Sequence, residues 1–163
     1  MRKWLVLGGC AIVATVVVWV TLFRDSDEDR IRKVLGRLAK AVAVKKDDTV
    51  LSRTGRLRSE LKQIVTDDVR VDVPDLRVRV TGRDQLVEGA TKAGLVFASA
   101  DCELTGVAVK IDDASTTAKV DATALVTAER GGERKVDRRA VHFLLYKDGD
   151  WRITTIDVAP KQE

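Results

Sequence analysis

The stretch Lys135–Val158, KVDRRAVHFLLYKDGDWRITTIDV, predicts two long strands joined by a tight turn. Asp148-Gly149 lies between two apolar runs, and this dipeptide is a strong short-range signal for a β-hairpin. Both strands carry apolar residues on both faces, which is typical of strands inside a sheet. We therefore expect this hairpin to lie near the centre of the sheet.

Upstream of this hairpin, alternating apolar residues predict further strands separated by turns. A change of phase at Thr105-Gly106 predicts a β-bulge. The predicted strands are Val69–Val73, Leu76–Val80, Cys102–Ile111 and Ala118–Ala128. Turns are predicted at Asp112–Ser115 and Arg130–Glu133. Small residues at Ala118, Ala122 and Ala124 would leave space against whatever packs on that face.

Apolar residues with a period of 3.6 predict three helices before the long strands. The first helix is predicted over Glu28–Val44. The stretch Asp48–Val65 is predicted to form one interrupted helix or two short ones, because Gly55 weakens its middle. The third is predicted over Arg83–Ala93, and Gly94 is expected to end it because glycine commonly follows the last turn of a helix.

The segment Trp4–Phe23 holds twenty consecutive residues without a charge. As a helix it would extend for about 30 Å, the thickness of the hydrocarbon core of a bilayer. Arg2 and Lys3 precede it, which favours a cytoplasmic N-terminus. We therefore expect a transmembrane anchor over residues 1–24 and one domain over residues 25–163, placed outside the cytoplasm in the periplasm.

Two alternatives to a permanent anchor remain open for this segment. One is a cleaved signal peptide, which the length of the apolar run and the lack of a convincing small-x-small site before Arg24 disfavour. The other is a lipoprotein signal that ends at Leu7-Gly8-Gly9-Cys10. Cys10 lies in the apolar segment and Cys102 in the domain, so a disulfide between them is not expected.

Helices followed by long antiparallel strands indicate the α+β class. The order of elements resembles that of the nuclear transport factor 2-like (SnoaL-like) superfamily. Three short stretches add to this resemblance: Asp67-Asp68-Val69 after the second helix, Thr81-Gly82-Arg83-Asp84 at the third helix and Asp148–Ile153 in the last hairpin. The resemblance covers about Glu28–Val158. It implies a cone-shaped, curved antiparallel sheet packed on about three helices. The nearest alternative fold is a cystatin-like sheet wrapped on one helix, which would leave two of the three predicted helices unexplained.

Charge and aromatic content disfavour nucleic acid as a partner. The chain has 29 basic and 25 acidic residues, and two of the basic residues, Arg2 and Lys3, precede the apolar segment. The remaining charges are nearly balanced and interspersed, unlike the basic clusters of nucleic-acid binders. Three Phe and one Tyr leave few rings on which bases could stack.

Enzymes of the resembled superfamily, such as ketosteroid isomerase, work in the mouth of the cone with a carboxylate, a Tyr and a protonated Asp. Tyr146 is the only Tyr of this chain and does not lie on the first helix, so that set is not matched. The candidates that remain are His142, the sole histidine, with Asp157 as its orienting group, together with Tyr146 and Asp101. One histidine without clustered ligands predicts no metal site, and no cofactor motif occurs.

Four basic residues, Arg134, Lys135, Arg138 and Arg139, form a cluster near a hairpin end and are a candidate site for an acidic partner or anionic headgroups. The anchor and the unmatched catalytic set favour a membrane-anchored, non-enzymatic envelope domain. We expect it to mediate association with a protein partner or a second copy of itself, or to act as a scaffold in the envelope. The alternative is a cone that binds a small apolar ligand, or acts as an isomerase or dehydratase, with its site around His142.

Overall fold

A computed structural model describes residues 25–161, which form three α-helices and one curved six-stranded sheet. The α+β class and the number of helices are confirmed. The helices are α1 (Asp27–Val42), α2 (Val50–Ile64) and α3 (Arg83–Val96). The strands are β1 (Val65–Val73), β2 (Val78–Thr81), β3 (Ser99–Ile111), β4 (Thr117–Arg130), β5 (Glu133–Asp148) and β6 (Asp150–Val158). A short 3-10 turn, Pro74–Leu76, joins β1 to β2.

The first two helices begin with capping boxes that satisfy their free backbone N–H groups. Ser26 accepts a hydrogen bond from the backbone N–H of Asp29, whose carboxylate accepts one from Ser26 in return. Thr49 and Ser52 form the same reciprocal pair at α2. These caps fix where each helix starts, one residue from the expected start of α1 and two residues from that of α2.

The predicted hairpin lies in the interior of the sheet, whose strand order is β2-β1-β6-β5-β4-β3. Gly149 adopts a φ of 70° at its turn, a conformation that glycine adopts without strain. Val141, Phe143 and Leu145 are buried, whereas the alternate residues of β5 face outward. The register shift between Thr105 and Ala108 confirms the predicted β-bulge.

The sheet is not wholly antiparallel, and the expectation that it is was wrong at one pair. Strand β1 pairs in parallel with β6, with Val71 opposite Ile156, whereas the other pairs are antiparallel. A parallel pair requires a long connection, and here α3 and strands β2 to β5 lie between the two partners in the chain. Hydrophobic alternation reveals the strands but not which distant strands pair.

A buried arginine ties the three helices together. Arg53, on α2, is 2% exposed and donates hydrogen bonds to the carbonyl oxygens of Val42 and Ala43 at the end of α1 and of Ala90 on α3. Charged groups that are buried this completely require such partners. The carboxylate of Asp48 lies 3.7 Å from this guanidinium. Arg53 therefore satisfies the last carbonyls of α1 and fixes α3 against α2.

Two helix details differ from the sequence-based expectations. Helix α2 is continuous through Gly55. Helix α3 continues through Gly94 to Val96, because Gly94 is the position at which α3 packs against the side chain of Arg53.

Within residues 25–161, no helix is long and apolar enough to cross a membrane. The predicted anchor Trp4–Phe23 and Cys10 lie outside the described residues. The anchor, the alternatives to it and the domain boundary at residue 25 therefore remain predictions.

Candidate functional site

An apolar cavity of about 540 Å³ lies between the concave face of the sheet and helices α1 and α3. Its volume is within the range of small-molecule sites, about 300–1,000 Å³. Most of its lining is aliphatic, and the residues are Leu38, Ala39, Val42, Val71, Val73, Leu76, Leu86, Phe97, Cys102, Leu104, Ala124, Val126, Ala128, Lys135, Asp137, Arg139, Val141, Phe143, Ile156 and Val158. The helices and the core side chains thus leave part of the concave face uncovered.

The sheet contributes three rows of residues to this cavity. Cross-strand register places Leu104 of β3, Ala124 of β4 and Arg139 of β5 in one row. The next row is Cys102, Val126 and Asp137, and the third is Ala128 and Lys135. Ala124 and Ala128, the β4 residues in two of these rows, have small side chains, and this leaves space for the cavity. The sequence predicted space beside Ala118, Ala122 and Ala124. Ala124 does line the cavity, whereas Ala118 and Ala122 lie in the packed core.

Charged groups collect at the open end of the cavity. Leu76 there is 67% exposed, whereas Phe143 at the closed end is 4% exposed. The guanidinium of Arg139 lies 2.6 Å from the carboxylate of Asp75 and 2.9 Å from that of Asp137. Asp75 belongs to the 3-10 turn and also accepts a hydrogen bond from the backbone N–H of Lys161. Arg139 therefore joins the sheet, the turn and the C-terminal segment around the cavity mouth.

These contacts change the proton affinities of the groups at the mouth. The backbone hydrogen bond from Lys161, together with Arg139, holds the pKa of Asp75 below its usual range. Hydrogen bonds to Asp137 and Asp75 raise the pKa of Arg139. Asp75 and Arg139 therefore stay ionised at neutral pH, and Arg139 is held in place by two carboxylates.

Cys102 places a half-buried thiol in the middle of the lining. Burial, and then the negative charge of Asp101, raise the pKa of this thiol above its ordinary value. Cysteines act as nucleophiles in the thiolate form, and this environment favours the neutral thiol. Cys102 is therefore an apolar lining residue at neutral pH.

His142 and Tyr146 lie on the outer face of β5, away from this cavity. The His142 ring Nδ1 lies 2.6 Å from the carboxylate of Asp121 on β4, and both side chains are more than half exposed. Asp157 is opposite His142 in the register of β6 but does not share this hydrogen bond. The structure therefore does not place a catalytic site around His142 inside the cone.

Asp101 lies beside a different and smaller groove of about 360 Å³, where the segment after α1 meets β3 and β4. Lys45, Glu129 and Arg134 also line this groove. Asp101 and Cys102 alternate on β3, so the carboxylate is exposed while the thiol faces the cavity. The three candidates His142, Tyr146 and Asp101 are therefore not brought together.

The predicted basic cluster is divided by the pleat of β5. Lys135 and Arg139 line the cavity, whereas Arg134 and Arg138 are exposed on the other parity of the strand. Asp137, which was not among the candidates, lies between Lys135 and Arg139 on the inner face. The signal was present in the sequence, because Lys135, Asp137 and Arg139 share their parity with the buried Val141 and Phe143.

Among residues 25–161, no three His, Cys, Asp or Glu side chains are grouped to hold a metal ion. The arrangement of the described groups instead suits an organic molecule. The aliphatic lining offers a large apolar surface, and the mouth offers a carboxylate and an ammonium group to one polar end of a ligand.

No protein-family model and no curated protein matches the sequence. Among solved structures, a protein from Kribbella flavida matches with a TM-score of 0.69 and 14% identity, over 83% of this chain and 91% of that one. A nuclear transport factor 2-like superfamily protein from Salmonella enterica serovar Typhimurium matches with a TM-score of 0.67 and 16% identity, over 84% and 92%. A candidate scytalone dehydratase from Novosphingobium aromaticivorans matches with a TM-score of 0.63 and 16% identity, over 81% and 82%. At these identities the comparisons show the fold, which is nuclear transport factor 2-like.

Proposed function

We propose that this chain, which has the nuclear transport factor 2-like fold, binds a small and mainly apolar molecule in the cavity between α1, α3 and the sheet. The observation that carries the proposal is the cavity itself, about 540 Å³ of space lined largely by aliphatic side chains. A protein interior is normally close-packed, so an apolar space of this size is a feature that packing alone does not explain. Burial of an apolar ligand there would be favoured by the hydrophobic effect.

The polar end of the ligand would lie at the mouth, beside Lys135 and Asp137. Arg139 is already held by Asp75 and Asp137, so its role is to position the mouth. The side chain of Lys135 is mainly exposed, and among residues 25–161 its ammonium group forms one ion pair, at 3.7 Å with Glu133. An ammonium group donates hydrogen bonds and a carboxylate accepts them, so a hydroxyl group could pair with either.

A second candidate function is an isomerase or dehydratase type of reaction in the same cavity. The observation that favours it is the carboxylate of Asp137 at the mouth, since carboxylates can act as general bases. A structural neighbour named as a candidate dehydratase agrees with this class. Neither His nor Tyr is present in the cavity lining, and for this reason binding is the first proposal.

The test of the binding proposal uses 2-naphthol, a flat apolar probe with one hydroxyl group. The full chain, with its valine methyl groups labelled with ¹³C, is titrated with 2-naphthol in detergent micelles. Resonances of the lining residues Val126, Val141 and Val158 should shift in a saturable manner. Ala128→Leu adds three carbons to the lining and should weaken binding at least tenfold.

The matched control is Ala140→Leu, the same change on the outer face of β5, where the side chain is exposed. This variant should bind 2-naphthol as the unchanged chain does. Equal binding by all three proteins, or shifts spread evenly over the valines of the chain, would contradict a site in the cavity.

The other functional expectations stay predictions. Association with a protein partner or a second copy would use the outer face of the sheet, where Leu144 and Tyr146 are 38% and 48% exposed. The periplasmic location depends on the predicted anchor. Sedimentation of the full chain in detergent would give its oligomeric state.

A further inference from the structure

A second, polar groove of about 760 Å³ lies near the N-terminal half of α1 and is separate from the apolar cavity. It is bounded by α1, the end of α2 and the beginning of β6. Its lining consists of Arg30, Val34, Arg37, Lys62, Gln63, Asp150, Trp151 and Arg152. None of these residues lines the apolar cavity. The two spaces can therefore serve different ligands.

Four of the lining residues are basic and one, Asp150, is acidic. Among the described residues, neither Arg30 nor Lys62 has an ion-pair partner, although both lie on the groove. Like charges that share a groove raise the local positive potential, because the surrounding protein has a lower dielectric constant than water. Arg30 and Lys62 therefore leave positive charge available to a bound anion.

Arg37 is held in the groove in a fixed orientation. Its guanidinium lies 2.9 Å from the carboxylate of Glu60 and donates a 2.8 Å hydrogen bond to the amide oxygen of Gln63. Arg30, Val34 and Arg37 are spaced i, i+4 and i+7, so they lie on one face of α1. Two arginines on one helix face thus border the same space, with an apolar residue between them.

Arg152 closes the groove from β6. Its Nε is covered and has no hydrogen-bond partner among the described residues. A covered donor without a partner has a free-energy cost. Nearby, Trp151 is 2% exposed and its indole N–H donates to Asp27, so the aromatic wall of the groove is held in place.

We propose that this groove binds a phosphate-bearing anion. Guanidinium groups match the geometry of phosphate oxygens and bind them in pairs of hydrogen bonds, and lysine adds a point charge. The partly exposed Val34 provides apolar surface for the organic part that carries the phosphate. This site is independent of the ligand proposed for the apolar cavity.

A phosphate group could come from an anionic lipid or from a soluble compound. The apolar run of the sequence ends at Phe23, seven residues before Arg30. If that run spans a bilayer, the groove lies close to the membrane surface, where basic residues attract anionic headgroups. The chemistry of recognition is the same for both sources, and the experiment separates them.

The experiment follows the Trp151 indole N–H and arginine Nε–H resonances of the ¹⁵N-labelled full chain in dodecyl maltoside micelles. Inorganic phosphate and dihexanoyl phosphatidylglycerol are titrated separately, and sodium chloride at equal ionic strength controls for screening. The test variant is the double substitution Arg30→Gln with Lys62→Gln, two exposed positions. The control is Arg70→Gln with Lys110→Gln, which removes the same charge at two exposed positions outside the groove.

A saturable shift with inorganic phosphate, at least fivefold weaker in the test variant and unchanged in the control, supports the site and a soluble source. The same pattern with phosphatidylglycerol alone supports the site and a lipid source. Absence of a saturable shift with either probe, or equal weakening in both double variants, overturns the proposal. The backbone spectra of both variants should match that of the unchanged chain, which shows that they remain folded.

Discussion

The reactivity of the Cys102 thiol depends on its position in the cavity lining. The thiol lies between Ala100 and Leu104 on the inner parity of β3 and is half-buried. Its neighbour Asp101 points to the other face but still raises the pKa of the thiol through its negative charge. The reactivity of this thiol therefore depends on both its access from the cavity and its protonation.

We expect Cys102 to react slowly with a thiol reagent at neutral pH, and faster as the pH rises. The measurement is the rate of reaction with 5,5′-dithiobis(2-nitrobenzoate) against pH, in a Cys10→Ser background so that one thiol remains. The apparent pKa should exceed that of N-acetylcysteine amide measured alongside, because burial and Asp101 favour the neutral thiol. An apparent pKa at or below that of the free thiol would contradict this account.

The side-chain parity of β5 was the best residue-level information in the sequence. It separates Val141 and Phe143 from His142 and Tyr146, but both faces carry apolar residues, so only the structure shows that Val141 and Phe143 are the buried pair. The same parity also places Lys135, Asp137 and Arg139 on the inner face. This parity could not reveal that Arg139 forms an ion pair with Asp75, because the two residues are 64 positions apart in the chain.

At the scale of elements, Arg53 and Gly94 belong together. A Cβ added at Gly94 would lie 2.9 Å from Cδ and 3.0 Å from Nε of Arg53. These atoms are in the middle of a side chain whose guanidinium is fixed by three carbonyl groups, so they have little freedom to move. Helix α3 therefore approaches α2 this closely only because residue 94 lacks a side chain.

Gly94→Ala should lower the free energy of unfolding by about 1–3 kcal/mol, the usual range for overpacking. Gly89→Ala on the same helix is the control, since no atom lies within 4 Å of its added Cβ. It should raise the stability by up to about 1 kcal/mol through helix propensity. Urea unfolding of both variants gives the comparison, and two effects of the same sign would argue against the packing explanation.

The elements themselves were largely predictable, because capping residues, turns and hydrophobic periods are local. The β-bulge at Thr105-Gly106 and the hairpin turn at Gly149 follow from short stretches of sequence. Gly94 was misinterpreted as a helix end since its packing partner, Arg53, is 41 positions away in the sequence. The parallel pairing of β1 with β6 was missed for the same reason.

For the whole molecule, several carboxyl groups are stabilised in their charged form by folding. Asp48 is the strongest case, since hydrogen bonds from Arg56, at 2.6 Å for one of them, lower its pKa from the ordinary 3.8 to about 2. Its side chain is 10% exposed, so water screens this interaction little. A hydrogen bond from Lys147, and then one from the indole of Trp151, lower the pKa of Asp27.

A carboxyl group whose pKa is lower in the folded chain contributes stability above its unfolded pKa. That stability is lost as the pH falls through the folded pKa. For Asp48 this loss of stability occurs between about pH 4 and pH 2. The ionised carboxylate contributes about 2 kcal/mol to the free energy of unfolding above this range. Asp48→Asn should therefore reduce the fall in stability over this window relative to the unchanged chain.

The measurement is the midpoint of urea unfolding between pH 7 and pH 2 for both proteins. The difference in unfolding free energy between them should be constant from pH 7 to about pH 5 and then shrink. A difference that stays constant down to pH 2 would mean that the charge of Asp48 does not contribute in this way.

The parallel pair of β1 and β6 also bears on the order in which the chain folds. Strands β3 to β6 form a meander of hairpins whose contacts are local, whereas Val65 and Ile153 must close a loop of 88 residues. Closing long loops costs entropy before any contact compensates for it, so local hairpins form sooner. The helices and β1 would then dock on a sheet that already exists. The apolar cavity, which needs both the sheet and the helices, would be completed among the last steps of folding.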